Sequence, residues 1–199
     1  MLPTPTRWWL IASFLAGFAF AMWAQELILH WKEDNLRLSA PKLHFLEGKP
    51  LDRLKNGDTV PYDFQLTLWV GSKDTVFQRY AERFVFSYDL WEEKFSVTKA
   101  RPPRRSISHL TANAAESWCL DNLQIPTTGI GGEQPLWVRL EIRSEEPKDI
   151  PPILGDPGVS LTSLIEIFSR PARATQPHWT LDAGPLRLDD IKRTSGRGT

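Results

Sequence analysis

Cysteine is almost absent: Cys119 stands alone among 199 residues, so no intrachain disulfide can form and the fold must be held by its core. A lone thiol in this setting reads as a small buried hydrophobe. An excess of charge is missing too. Lys and Arg number 24 against 24 Asp and Glu, with no long block of either sign, which removes the electrostatic footprint of a nucleic-acid-binding protein. The chain has no G-x-S-x-G elbow, no H-E-x-x-H, no paired C-x-x-C and no phosphate loop. The glycine-rich TTGIGGEQ, residues 127 to 134, has no Lys after it and leads into an alternating stretch rather than a helix, so it reads as a turn. Ser96 and Lys99 match S-x-x-K but lie in a strand pattern instead of at a helix start.

Metal ligation and acid–base catalysis lack their usual spacing as well. The four histidines, His30, His44, His109 and His178, are scattered. His30 and His44 fall on segments that can pair, but no cysteine or carboxylate stands at ligand spacing, so neither a metal nor a cofactor is expected. Acidic residues come in adjacent pairs, Glu92-Glu93, Glu145-Glu146 and Asp189-Asp190, all in turns or at element ends. Neighbours on an extended chain point to opposite faces, and neighbours in a turn meet water. Solvated charge is the expectation for each pair, and no catalytic residue is assigned.

What the sequence does have is nine Trp, rings that belong in cores, interfaces or membrane belts. Three of them flank a run without charge, WWLIASFLAGFAFAMWAQ, from Trp8 to Gln25. At about 1.5 Å per helical residue this run spans roughly 27 Å, close to a hydrocarbon core. Arg7 and the terminal amine precede it and Glu26 follows, which predicts an N-in anchor with the following domain outside the cytoplasm. Ala19-Phe20-Ala21 also fits a cleavage site, but Met22 and Trp23 carry the apolar run past it, favouring a retained single-pass helix over residues 1–26.

The remainder shows no repeat and reads as one domain, residues 27–190, with residues 191–199 (KRTSGRGT starts at Lys192) as a disordered tail. LILHW, LRLSA and KLHFL alternate as short strands. KPLDRLKNGD predicts one or two helical turns with Leu51 and Leu54 inward and Asn56-Gly57 as the stop. Thr59 to Val70 places Tyr62, Phe64, Leu66 and Leu68 on one face of a half-buried strand. RFVFSYDLWEEKFSV, residues 83 to 97, reads as a hairpin with Phe84, Phe86 and Tyr88 on one face, Val85 on the other, and Phe95 and Val97 repeating the spacing. Trp91, Glu92 and Glu93 occupy its turn, with Trp91 partly exposed at the edge of the core.

RPPRR, Arg101 to Arg105, reads as a solvated loop. LTANAAESWCLDNL predicts a helix capped by Thr111 that buries Ala115, Trp118, Cys119 and Leu123. PLWVRLEIR alternates Leu136, Val138, Leu140 and Ile142 as a strand, and a Pro-rich connection then leads to a second helix with Leu161, Leu164, Ile165 and Phe168 on its core face. Two short strands around Ala183-Gly184-Pro185 close the pattern. The expected class is α+β and mainly β: an antiparallel, sandwich-like sheet with two packed helices behind one N-terminal transmembrane helix.

The order of these features resembles the bacterial domain-of-unknown-function family 4390. An N-terminal membrane segment, the L-x-x-L-x-x-G piece from Leu51 to Gly57, and a hairpin carrying Arg83, Ser87, Tyr88 and Val97 precede a helix and a strand with Arg139-Leu140. The Pro151-Pro152 break completes the match over residues 27 to 170. Where the family has an Asp-Trp pair near its last strand, this chain has SLIEIFSRP. The family has no assigned activity, so the resemblance implies architecture and an envelope location only.

The expected function is therefore a membrane-anchored, extracytoplasmic envelope protein, non-catalytic, that binds a protein partner or supports a complex. The rival is an exported hydrolase or saccharide-binding protein using an aromatic cleft near Trp91. Trp91, Glu92 and Glu93 are the candidate contact residues in both cases.

Overall fold

Two antiparallel sheets form around the alternating segments. The computed structural model describes residues 26–145, 165, 167–169, 172 and 176–196; the run from Trp8 to Gln25 and most of the Pro-rich connection lie outside them. β1 (Ile28–Lys32) turns into β2 (Asn35–Ser39) through Glu33 and Asp34, both with left-handed backbone, as a two-residue hairpin turn requires. β7 (Gln124–Pro126) joins the other edge of β2. The second sheet has six strands in the order β6-β5-β4-β3-β8-β9: β3 (Val60–Val70), β4 (Val76–Asp89), β5 (Lys94–Lys99), β6 (Arg105–Leu110), β8 (Pro135–Ser144) and β9 (His178–Arg187). The fold is mainly β, as the alternation implied. Helix α1 (Gly48–Lys55) follows the β2 segment, and α2 (Ala112–Asp121) begins at Thr111, whose Oγ1 accepts from Ala114 N.

One core draws on both sheets. Tyr62, Phe64, Leu66 and Leu68 of β3 lie between Phe84 and Phe86 of β4 and the buried row Leu136, Val138, Leu140 and Ile142 of β8. Leu29, Leu36, Leu38 and Ile125 come from the small sheet. Phe45 sits at the centre, its ring 5.1 Å from Tyr62, 5.4 Å from Phe64 and 5.9 Å from Phe86, mostly edge-on, the arrangement that ring quadrupoles favour. Ala115, Cys119 and Leu123 are buried on or just after α2, and burial pushes the Cys119 thiol well up, consistent with its role as a small hydrophobe.

Four expectations need correction. KLHFL is irregular, not a strand: the backbone N–H groups of Phe45 and Leu46 donate to Glu116 Oε1 on α2, at 2.7 and 2.9 Å, instead of to a neighbouring strand. β3 is buried on both faces from Val60 to Leu68, so Asp63, Gln65 and Thr67 do not meet water. β9 is one bulged strand, not two: Gly184, at φ 114°, approaches the backbone of Leu136 and Trp137 so closely that a Cβ has no room. The domain also continues past residue 190. Leu188–Ser195 forms helix α3, burying Leu188 and Ile191 one turn apart, and its Ser195 Oγ accepts from Trp31 N on β1. Asp189 and Asp190 in its first turn and Lys192 and Arg193 in its last match the helix dipole. The TTGIGGEQ turn seats that helix, with Gly132 O accepting from Asp189 N. Of the expected helix around Ile165 and Phe168, residues 165 and 167–169 are described and helical.

Candidate functional site

The hairpin of residues 83 to 97 forms as read. Tyr88 faces Phe95, Phe86 faces Val97, and Asp89 pairs with Lys94, leaving Leu90-Trp91-Glu92-Glu93 as a four-residue turn. Asp89 closes it: its Oδ1 accepts from Trp91 N at 2.8 Å and Glu92 N at 3.1 Å, and these donors hold the carboxyl below the ordinary aspartate range. Glu93 takes the left-handed conformation that returns the chain to β5. Neighbouring β3 begins at Val60, opposite Phe86, so the last pairs of the hairpin run beyond it. Trp91 does not cap the core's edge: it stands 96% exposed with Leu90 57% exposed beside it. Glu92 and Glu93 are exposed as expected, and Glu92 Oε2 lies 3.0 Å from His109 Nε2 of β6. The turn therefore brings together an exposed indole, an exposed leucine and three carboxylates.

A second cluster was not anticipated. On the face of β3 opposite Tyr62 and Phe64, Asp63 is paired in register with Arg83 of β4 and Arg143 of β8. Arg83 donates in bidentate fashion to Asp63, Nε to Oδ1 and Nη2 to Oδ2, both at 2.7 Å, and Nη2 also meets Glu145 Oε1. Asp63 is fully buried and Glu145 is 4% exposed. Burial and the neighbouring Asp63 carboxylate push Glu145 up to about 7, against the pull of Arg83. The expectation of solvated charge thus fails for Glu145, because its partner lies across the sheet and not in its sequence neighbourhood. Of the third pair, Asp190 is exposed and Asp189 half-buried in the first turn of α3.

The histidines stay apart. His30 bonds Ser39 Oγ, His44 lies 3.1 Å from Glu116 Oε2, His109 faces Glu92, and His178 Nδ1 contacts Gln176 O. Among the described residues no group of three or more His, Cys, Asp or Glu is placed to hold a metal ion. Arg101, expected in a solvated loop, turns inward: it donates to Ala81 O and lies over the Tyr80 ring, while Tyr80 donates to buried Glu82 and is pushed up to about 12 by burial. A pocket of about 290 Å³ opens along β8 and β9, lined in part by Glu141, Arg143, His178 and Trp179; β3 separates those strands from the Trp91 hairpin. No described helix is long and apolar enough to cross a membrane.

Compared with family models, curated proteins and solved structures, the chain matches none of them. Of the residues on which the expectation of family 4390 rests, Arg83 is the cation of the buried cluster, and Val97 is buried opposite Phe86.

Proposed function

We propose that this chain is a membrane-tethered extracytoplasmic envelope protein, non-catalytic, that docks a partner protein through the Leu90-Trp91 tip of its β4–β5 hairpin. The observation that carries the reading is the 96% exposure of Trp91 at the end of a hairpin in which Phe84, Phe86 and Phe95 are buried. A Trp in water forgoes about 150–250 Å² of apolar burial, and Trp is among the residues enriched at interface hot spots. Asp89, Glu92 and Glu93 surround it, which disfavours an anionic lipid surface and suits an apolar slot with a basic rim. The uncharged run from Trp8 to Gln25 supplies the tether, and the similarity of Arg83, Ser87, Tyr88 and Val97 to family 4390 supports the envelope location. A hydrolase reading gains less from this turn, since a convex tip does not surround a substrate.

A photo-crosslinking residue in place of Trp91, introduced in the full chain in cells, tests the proposal against the same residue at exposed Arg79. A discrete protein adduct from position 91 alone, lost when Leu90→Ser is added, is the expected result. Lipid adducts alone, or identical adducts from both positions, would overturn the docking assignment.

A further inference from the structure

The turn at Trp91 leaves the buried charge cluster without a role. Its geometry is unbalanced: one guanidinium, Arg83, serves two carboxylates, Asp63 and Glu145. Glu145 Oε1 receives Arg83, but Glu145 Oε2 is buried and receives no hydrogen bond. The side chain lies within hydrogen-bonding reach of Asp63, so as ions the two groups would face each other as acceptors with no donor between them. One proton on Glu145 removes one of the two facing negative charges and turns that contact into an O–H···O hydrogen bond.

The surrounding charges do not remove the need for that proton. Arg53 of α1 donates to the backbone O of Glu145 at 2.8 Å, not to its carboxylate, and carries Asp58 on its Nε at 3.5 Å. Arg143 of β8, the register neighbour of Asp63, interacts with Asp63 by charge, but it donates to Ile167 O at 2.9 Å and lies over the Phe168 ring at 4.6 Å. His178 of β9 sits opposite Arg143 in register, exposed. Glu82, next to Arg83, points to the other face and pairs with Lys99 at 3.3 Å. Glu145 N donates to Pro61 O at 3.0 Å, so its side chain and backbone together hold the end of β8 against β3.

The geometry points to a proton-operated latch: a single proton shared between Glu145 and Asp63 fastens the end of β8 to β3, and its loss loosens that junction. The sign follows from linkage. The folded protein keeps the Glu145 proton to about pH 7, against an ordinary value of 4.5. The stabilisation is therefore fully present below the ordinary value and is lost as pH rises through about 7.

Amide hydrogen exchange of the full-length chain in detergent micelles, corrected for intrinsic rates, tests this between pH 5.5 and 8.5. Protection at Ser144 and Glu145 should fall about tenfold or more across neutral pH, since each unit of pKa displacement corresponds to a factor of ten. Glu145→Gln, which cannot ionise, should show a flat profile. A flat wild-type profile, or an equal fall in the variant, would overturn the latch. Should the variant not fold, the ¹³C titration of the wild-type Glu145 carboxyl decides: a midpoint near neutrality supports the latch, and one in the ordinary carboxylate range refutes it.

Discussion

Removing the Glu116 carboxylate should expose how much of the core depends on one side chain. Glu116 is 4% exposed on α2, and its Oε1 accepts from Phe45 N and Leu46 N, both in the irregular KLHFL segment. Those two amides belong to no ladder. In Glu116→Ala both would be left buried and unpaired, at about 1–3 kcal/mol each. Exposed His44 marks a short path for water, so the cost settles near 3 kcal/mol or somewhat above, a large share of a typical domain stability of about 5–15 kcal/mol. Glu116→Gln keeps a carbonyl oxygen where Oε1 was and loses only the charge assistance, so about 1 kcal/mol is expected. Urea unfolding of the full chain in mild detergent, followed by Trp fluorescence, measures both variants; Trp118 and Trp179 report because they pack on the same core. The reasoning is refuted if Ala costs under about 0.5 kcal/mol, the range of an ordinary surface change, or if Gln costs as much as Ala.

Two further outcomes are expected. Phe86→Ala should cost about 3–5 kcal/mol, because the ring is fully buried against Tyr62 and Phe45; wild-type stability in the same urea assay would contradict the packing. Deleting residues 191–199 should destabilise the domain and deprotect the β1 amide of Trp31, which donates to Ser195, and an unchanged midpoint would restore the reading of that segment as a tail.

The parts of the fold legible in the sequence are those whose cause is local. Alternation in β3, β4, β5 and β8 follows from a side-chain period of two, and the Thr111 cap is a contact three residues long. KLHFL has the same alternation, but its hydrogen bonds go to Glu116, some seventy residues away in sequence. The surroundings of Glu145 are equally non-local: its partners Arg83 and Asp63 lie on other strands. α3 is absent from the sequence reading, which runs a strand pattern through Leu188 and takes residues 191–199 as a tail, although Leu188 and Ile191 stand one helical turn apart. At the Trp91 turn the sequence located the residues correctly, whereas exposure depended on where β3 begins beside the hairpin.

The same distinction explains why a costly ion cluster persists on a strand that also carries Tyr62 and Phe64. A buried ion pair is weak evidence for stability, because apolar residues of equal volume often serve as well or better. Register is a different matter. β3 is enclosed on both faces, so the usual signal, one face wet and one dry, is missing, and a slip of one residue would exchange its two rows of side chains. Asp63 opposes that slip. Its bidentate partner Arg83 is also its register partner on β4, so a shift would carry Asp63 into the aromatic core and strand the guanidinium. On this argument the cluster fixes which face of β3 meets Phe45, and with it the pairing of Val60 with Phe86 from which the hairpin runs on to Trp91. The proton on Glu145 then acts on a contact whose first task is to set the alignment of the sheet.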